Sequence, residues 1–143
     1  MNSRKNTGAA LEDAKINVKI KISTLWASVM FCYIYADYFG LYVPGELQKM
    51  LDGKMGPLGP TTQGVLLGTS LMMAIPSVMI FLSLSLKPNL SRWLNLIFGG
   101  LYTLIILLTM WRWKFYILYG VIEVVLTGLV VWYACKWPKQ ETT

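Results

Sequence analysis

The stretch GVLLGTSLMMAIPSVMIFLSLSL, residues 64–86, carries no charged side chain along its whole length. A helix needs about 20 mostly apolar residues to cross the hydrocarbon core of a bilayer. Backbone groups in lipid must be hydrogen-bonded within the segment itself, so a run of this kind is expected to be helical. The stretch therefore predicts a membrane span, and it sets the class of the whole protein.

Three further runs have the same character, at residues 23–43, 93–110 and 115–134. None of them alternates in the way that strands of a membrane β-barrel do. Apolar residues make up 55% of the chain and charged residues 14%, whereas soluble domains carry about 25% charged residues. We predict an all-α, up-and-down four-helix bundle in the membrane. Its parts would be a basic N-terminal segment at 1–22, a transmembrane domain at 23–134 with an extracytoplasmic loop at 44–63, and a tail at 135–143.

The distribution of basic residues predicts the orientation. With four spans, both termini and the 87–92 turn lie on one side, which then holds nine of the 13 Lys and Arg residues. Cytoplasmic segments are enriched in Lys and Arg, so we expect a multi-pass protein of the cell membrane with both termini in the cytoplasm. The six tryptophans lie near predicted helix ends, as in interfacial aromatic belts. Trp26 is assigned to the cytoplasmic belt.

The composition also limits the chemistry. The net charge of +6 comes from residues that flank spans, and no basic stripe with interleaved aromatics predicts a nucleic-acid partner. The chain has no histidine and no Cys-x-x-Cys. Histidine is the commonest metal ligand and general base, so we predict no metal site, no cofactor and no enzymatic activity. A lipid-modifying enzyme would have to work with Asp, Glu, Tyr, Lys or Cys alone.

Two carboxylates lie inside predicted spans, Asp37 in the first and Glu123 in the fourth. A carboxylate at mid-bilayer depth costs about 2.5–3.5 kcal/mol on insertion scales. At about 1.5 Å per helical residue, Asp37 lies about 10 Å and Glu123 about 12 Å inside the outer helix ends. The two acids therefore reach nearly the same level, where no predicted span carries a Lys or Arg.

Hydroxyl side chains accompany both acids. Tyr33 lies one turn before Asp37, while Tyr119 and Thr127 lie one turn before and after Glu123. Helical residues at i, i+4 share a face, so each acid has a tyrosine placed to donate a hydrogen bond. We predict that these five residues form a site for a proton, a cation or a ligand. The alternative is that the acids only make polar contacts between helices.

Other residues predict helix packing. Two glycines at i, i+4 spacing open the second span, a pattern that lets helices approach closely. A proline in mid-span removes one backbone hydrogen bond and is expected to kink the helix. A stripe of small and polar residues on the third span is suited to interhelical hydrogen bonds. These residues are Gly64 and Gly68, then Pro76, then Asn95, Gly99 and Thr103.

The 44–63 connection is the one long loop between spans. Leu47, Met50 and Leu51 lie at i, i+3, i+4 spacing and predict a short amphipathic helix on the membrane surface. The loop caps the bundle, lines an entrance, or is a simple connection. Before the first span, residues 16–22 alternate apolar and polar side chains. We interpret that segment as a helical extension of the span or as an interfacial segment.

The stretch YIYADYFGL, residues 33–41, resembles an uncharacterised family of small bacterial four-span integral membrane proteins. The resemblance would cover residues 23–137, and it implies the architecture but no functional residues. Two functions stay open: a small transporter, channel or ligand-binding protein that uses the intramembrane acids, or a non-catalytic membrane subunit or assembly factor. Four short helices enclose little volume, so a transport path is expected to need a homo-oligomer or a subunit interface.

Overall fold

The computed structural model describes residues 14–138, so the predicted end segments at 1–13 and 139–143 lie outside it. This part of the chain is all-α and contains no β-strand. The all-α class is confirmed. The helices are α1 Val18–Gly40, α2 Glu46–Leu51, α3 Gln63–Ser85, α4 Pro88–Thr109 and α5 Lys114–Cys135, with a 3-10 helix at Gly56–Leu58.

Three of these helices, α3, α4 and α5, are long and apolar enough to cross a membrane. α1 is as long but includes Lys19, Lys21 and Asp37. It also takes in most of residues 16–22, which confirms that this segment extends the helix. α4 begins at Pro88, five residues before the predicted span, because proline has no N–H to lose and suits the first turn of a helix.

The four long helices form a ring in which α1 and α4 each contact both α3 and α5. Turns of two and four residues join α3 to α4 and α4 to α5, so these pairs are antiparallel neighbours. A buried core fills the ring where α1 begins and α5 ends, which we call the terminal end. The opposite end, beside the 44–63 loop, is the loop end. The core consists of Ile22, Trp26, Met79, Tyr102, Val130 and Ala134.

A buried hydrogen-bond network joins α1, α3 and α4 at the terminal end. Asn95 Oδ1 accepts from Trp26 Nε1 at 2.7 Å and from Ser83 Oγ at 3.2 Å. Asn95 Nδ2 donates to the Ser91 carbonyl at 2.8 Å. The prediction that Trp26 lies in an interfacial belt is wrong, because the residue is fully buried. Asn95 supplies the acceptor that a buried indole N–H needs.

α4 and α5 approach closely along the predicted small-residue stripe. A Cβ added at Gly99 would lie 2.9 Å from Val131 Cγ2. One turn further along α4, the hydroxyls of Thr103 and Thr127 are hydrogen-bonded at 2.7 Å. These contacts hold α5 against α4 about one helical turn from Glu123, on the side of the terminal end.

The glycine pair of α3 makes no such contact. Gly64 and Gly68 are both exposed, and a Cβ at Gly68 would meet nothing within 4 Å. The neighbouring helices pack instead on the face of α3 that buries Pro76, Met79 and Ser83. The predicted packing role of the glycine pair is therefore wrong for contacts within the described chain.

α3 continues through Pro76, which is buried in mid-helix. Proline has no N–H, so the carbonyl of Met72 one turn earlier lacks its helical partner. Tyr102 of α4 donates its hydroxyl to that carbonyl. A buried backbone carbonyl needs a hydrogen-bond partner, and this interhelical bond supplies the partner that the proline removes.

Two of the basic residues that predict the orientation also cap helices. Lys19 Nζ donates to the carbonyls of Leu84 and Leu86 at 3.1 and 2.5 Å. Arg92 Nε donates to the Ala134 carbonyl at 3.0 Å. The last carbonyls of a helix lack intrahelical partners and carry partial negative charge, so these cations stabilise the ends of α3 and α5.

Candidate functional site

A cavity of about 750 Å³ opens at the loop end of the ring. All four long helices and the 44–63 loop contribute to its wall. A largely apolar wall with a few convergent polar groups is typical of small-molecule sites, which measure roughly 300–1,000 Å³. The ionisable side chains that line it, tyrosines apart, are Asp37, Glu46, Arg112 and Glu123.

Glu123 lies in the middle of α5 and is only 5% exposed, yet it lines this cavity. Across residues 14–138, no side chain or backbone group donates a hydrogen bond to its carboxylate, although every fully enclosed side-chain oxygen or nitrogen has a partner. The carboxylate must therefore reach the open space of the cavity. Burying a charged acid without hydrogen-bond donors costs free energy in an apolar surrounding. Binding of a proton or a cation would remove that cost.

Asp37 enters the same cavity from α1. It is the more open of the two acids, since Asp37 is exposed whereas Glu123 is buried. The two helices run in opposite directions through the ring, yet both acids line the same cavity. The structure therefore places the two acids of the predicted site around a single space.

Tyr33 and Tyr119 also line the cavity. In the described part of the chain neither hydroxyl bonds to an acid, contrary to the expected tyrosine–carboxylate hydrogen bonds. The ring of Tyr119 instead stacks on Phe39, with 6.5 Å between ring centroids. Both tyrosines thus present aromatic surface near the acids.

Thr127 is the one predicted site residue that does not reach the cavity. Its hydroxyl lies 2.8 Å from the backbone carbonyl of Glu123 and 2.7 Å from the Thr103 hydroxyl. It is fully buried between α4 and α5. Its contribution is to fix the helix turn that carries Glu123.

Two glycines shape the wall beside the acids. A Cβ on Gly120 would lie 2.5 Å from Met110 Cβ, and a Cβ on Gly40 would collide with the Tyr116 hydroxyl. Sequence reasoning did not assign Tyr116 or Met110 to the site. Tyr116 lies seven residues before Glu123, and this spacing already places both residues on one helix face.

Charged side chains also lie on the side of the cavity that the 44–63 loop and Arg112 form, which we call its mouth. The helix α2 confirms the short helix predicted in the loop, and Glu46 Oε1 accepts from Lys49 Nζ at 2.8 Å. This hydrogen bond, together with the charges of Lys49 and Arg112, lowers the pKa of Glu46 below its ordinary value. The Arg112 guanidinium lies 3.5 Å from where a Cβ would stand on Gly56. The 44–63 loop therefore forms part of the cavity wall and is more than a simple connection.

Methionines form much of the remaining wall. Five of the eight methionines in the chain line the cavity, from α2 to the end of α4. Methionine is flexible and polarisable, so a wall of this kind adapts to the shape of a ligand. The five are Met50, Met55, Met72, Met73 and Met110.

An apolar groove of about 440 Å³ adjoins the cavity on the α1–α5 side. Val43, Trp113 and Tyr119 line both spaces, so the groove and the cavity share a wall. The groove is otherwise bounded by Phe39, Tyr42, Pro44, Phe115 and Leu118.

Comparison with known proteins adds the family but no activity. No curated protein and no solved structure is similar enough to match the chain. A family model does match, over residues 12–143, and its description is a family of unknown function. This match confirms the resemblance to an uncharacterised family. With nearly its whole length covered, the chain belongs to the family of unknown function DUF6326.

Proposed function

We propose that the protein is a small multi-pass membrane transporter in which Glu123 and Asp37 bind the transported cation or proton. In this proposal α1 crosses the bilayer together with α3, α4 and α5, and both ends of the chain face the cytoplasm. The structure of one chain encloses the binding cavity, so ligand binding does not require a second copy.

The place of α1 in the ring supports a fourth span. It contacts both α3 and α5, and its outer face is apolar, with Phe31, Ile34 and Tyr35 exposed. A helix of 23 residues rises about 35 Å and so matches its neighbours. Solvating its outer face in lipid removes that apolar surface from water.

The charge distribution supports the orientation. Lys19 and Arg92 cap helices at the terminal end, and six of the ten basic residues among residues 14–138 belong to that end. The cavity then opens on the outer side of the membrane. Asp37 and Glu123 lie between this opening and the packed core.

The observation that carries the binding proposal is the Glu123 carboxylate, 5% exposed and without a donor, at the wall of a cavity. A bound cation or proton neutralises it. In the alternative function, a non-catalytic subunit or assembly factor, the acids would serve helix packing. Asn95 and Thr127 do make interhelical hydrogen bonds, but Glu123 makes none through its carboxylate within residues 14–138, which favours the transport proposal.

Proteoliposomes that contain a pH-sensitive dye test this function. An imposed pH gradient with a potassium diffusion potential should drive proton movement in vesicles with wild-type protein. Glu123→Gln should abolish it, while Asp52→Asn, which removes an exposed acid of the loop, should leave it unchanged. Equal rates in wild-type, Glu123→Gln and protein-free vesicles would refute proton transport through this site.

A further inference from the structure

We propose that the ligand of the cavity is an organic ammonium ion with an apolar tail. Its positive head would lie between Asp37 and Glu123, and its tail would leave past Tyr119 into the adjoining groove. This inference rests on the proposed function and names the ligand class of the same site.

The sign of the charge comes from the cavity wall. Three carboxylates and one guanidinium line it. Glu46 is paired with Lys49 at the mouth, where Arg112 lies against Gly56 of the loop. The two acids on the long helices have no basic partner within the described residues. The inner part of the cavity therefore attracts a positive charge.

The other lining residues favour an organic cation. Ring faces of tyrosine attract ammonium groups within about 6 Å, and quaternary ammonium ions are commonly recognised in this way. Four tyrosines line this cavity, together with five adaptable methionines. Among residues 14–138, no three His, Cys, Asp or Glu side chains are grouped to hold a metal ion. The lining tyrosines are Tyr33, Tyr38, Tyr116 and Tyr119.

The groove gives the ligand its shape. It lies directly beside the cavity, because Val43, Trp113 and Tyr119 line both spaces. Its remaining wall is apolar and aromatic, and Leu118 on its rim is exposed on the outer face of α5. In the proposed membrane orientation this groove faces lipid. An apolar tail placed there is removed from water while the ammonium head stays beside the acids.

Calorimetric titration of the protein in nanodiscs tests the ligand class, with heats from protein-free nanodiscs subtracted. The probes are hexyltrimethylammonium, tetramethylammonium and sodium at constant ionic strength. We expect hexyltrimethylammonium to bind more tightly than tetramethylammonium. Glu123→Gln should weaken both ammonium ions by about tenfold or more, the loss expected for one charged contact. Asp37→Asn gives an independent second variant, and Asp52→Asn should change nothing.

A matched pair of leucine variants tests the groove. Leu118→Ala should weaken hexyltrimethylammonium and leave tetramethylammonium unchanged, because only the first probe carries a tail. Leu108→Ala changes an equally apolar, exposed residue of α4 away from both spaces, and it should affect neither probe. Equal affinities for the two ammonium ions, or equal effects of the two leucine variants, would overturn the tail assignment.

The outcomes separate the two proposals. If sodium or protons bind in a Glu123-dependent way and neither ammonium ion competes, the organic-cation class is wrong while the proposed function stands. If Glu123→Gln and Asp37→Asn change neither ammonium binding nor proton movement in vesicles, both proposals are wrong. Folding of each variant is checked by circular dichroism before titration.

Discussion

Replacing Tyr102 by phenylalanine removes one hydroxyl and keeps the ring. The ring still packs edge-to-face on Trp26, with 5.9 Å between centroids, so the change creates no large cavity. What it removes is the donor to the Met72 carbonyl, which Pro76 leaves without a helical partner. The effect on stability should therefore depend on the proline.

The magnitude follows from the environment of that carbonyl. Tyr102 is 2% exposed, so water does not replace the lost donor. An unsatisfied buried polar group costs about 1–3 kcal/mol, whereas interhelical hydrogen bonds in membrane proteins average about 0.6 and reach about 1.7 kcal/mol. We expect Tyr102→Phe to lower the free energy of unfolding by about 1–2 kcal/mol.

A double-mutant cycle with Pro76→Ala isolates this contribution. Alanine restores the N–H at position 76, which can donate to the Met72 carbonyl within the helix. In that background Tyr102→Phe should cost less than about 0.5 kcal/mol. Unfolding in mixed detergent micelles, followed by far-ultraviolet circular dichroism, measures all four proteins. Tyr133→Phe, whose ring packs beside the core, is the matched control. An equal cost of Tyr102→Phe in both backgrounds would refute the reasoning.

Further predictions concern the packing and the mouth of the cavity. Gly99→Leu should destabilise the protein by about 1–3 kcal/mol through overpacking against α5, and a loss below 0.5 kcal/mol on unfolding in micelles would contradict the close approach. Asn95→Leu should lower the free energy of unfolding by about 1–3 kcal/mol because it leaves the buried Trp26 indole N–H without an acceptor. Adding Trp26→Phe in a double variant should recover part of that stability. An NMR titration should show that the pKa of the Glu46 carboxyl is below its ordinary value. The small stabilising contribution of this group is therefore lost as pH falls through that pKa. Lys49→Gln should raise the titration midpoint of Glu46. Identical midpoints in the two proteins would argue against the ion pair.

The helical segments and the grouping of the two acids followed from the sequence. Long apolar runs located the helical segments, and helical rise placed Asp37 and Glu123 at one depth. Both residues do line one cavity. The position of a residue along a helix depends only on local geometry, so the chain encodes it residue by residue.

Side-chain partners were harder to predict because they depend on which helix faces which. The same small-residue spacing occurs at Gly64 and Gly68 as around Gly99, yet only the second lies against another helix. Trp26 lies near a helix end, as belt residues do, but it is buried in the core, where it is hydrogen-bonded to Asn95, 69 residues away. Periodicity alone carries no information about these long-range contacts.

The path of the loop at the mouth of the cavity could not be predicted from local sequence patterns either. The short helix α2 followed from its apolar spacing, but the path of the loop depends on glycines with positive φ, such as Gly56 at 51°. That path brings the loop to Arg112. A turn conformation of this kind orients distant charges in a way that composition does not reveal.

Labelling by a hydrophobic carbodiimide tests the central claim most directly, because the reagent modifies protonated carboxyl groups in apolar surroundings. Peptide mass spectrometry of the protein in nanodiscs should find Glu123 modified, and hexyltrimethylammonium or raised pH should protect it. The exposed Asp52 should not show this protection. If Glu123 is unreactive, or if neither cation nor pH changes its labelling, the claim that this acid faces a cation- or proton-binding cavity is contradicted.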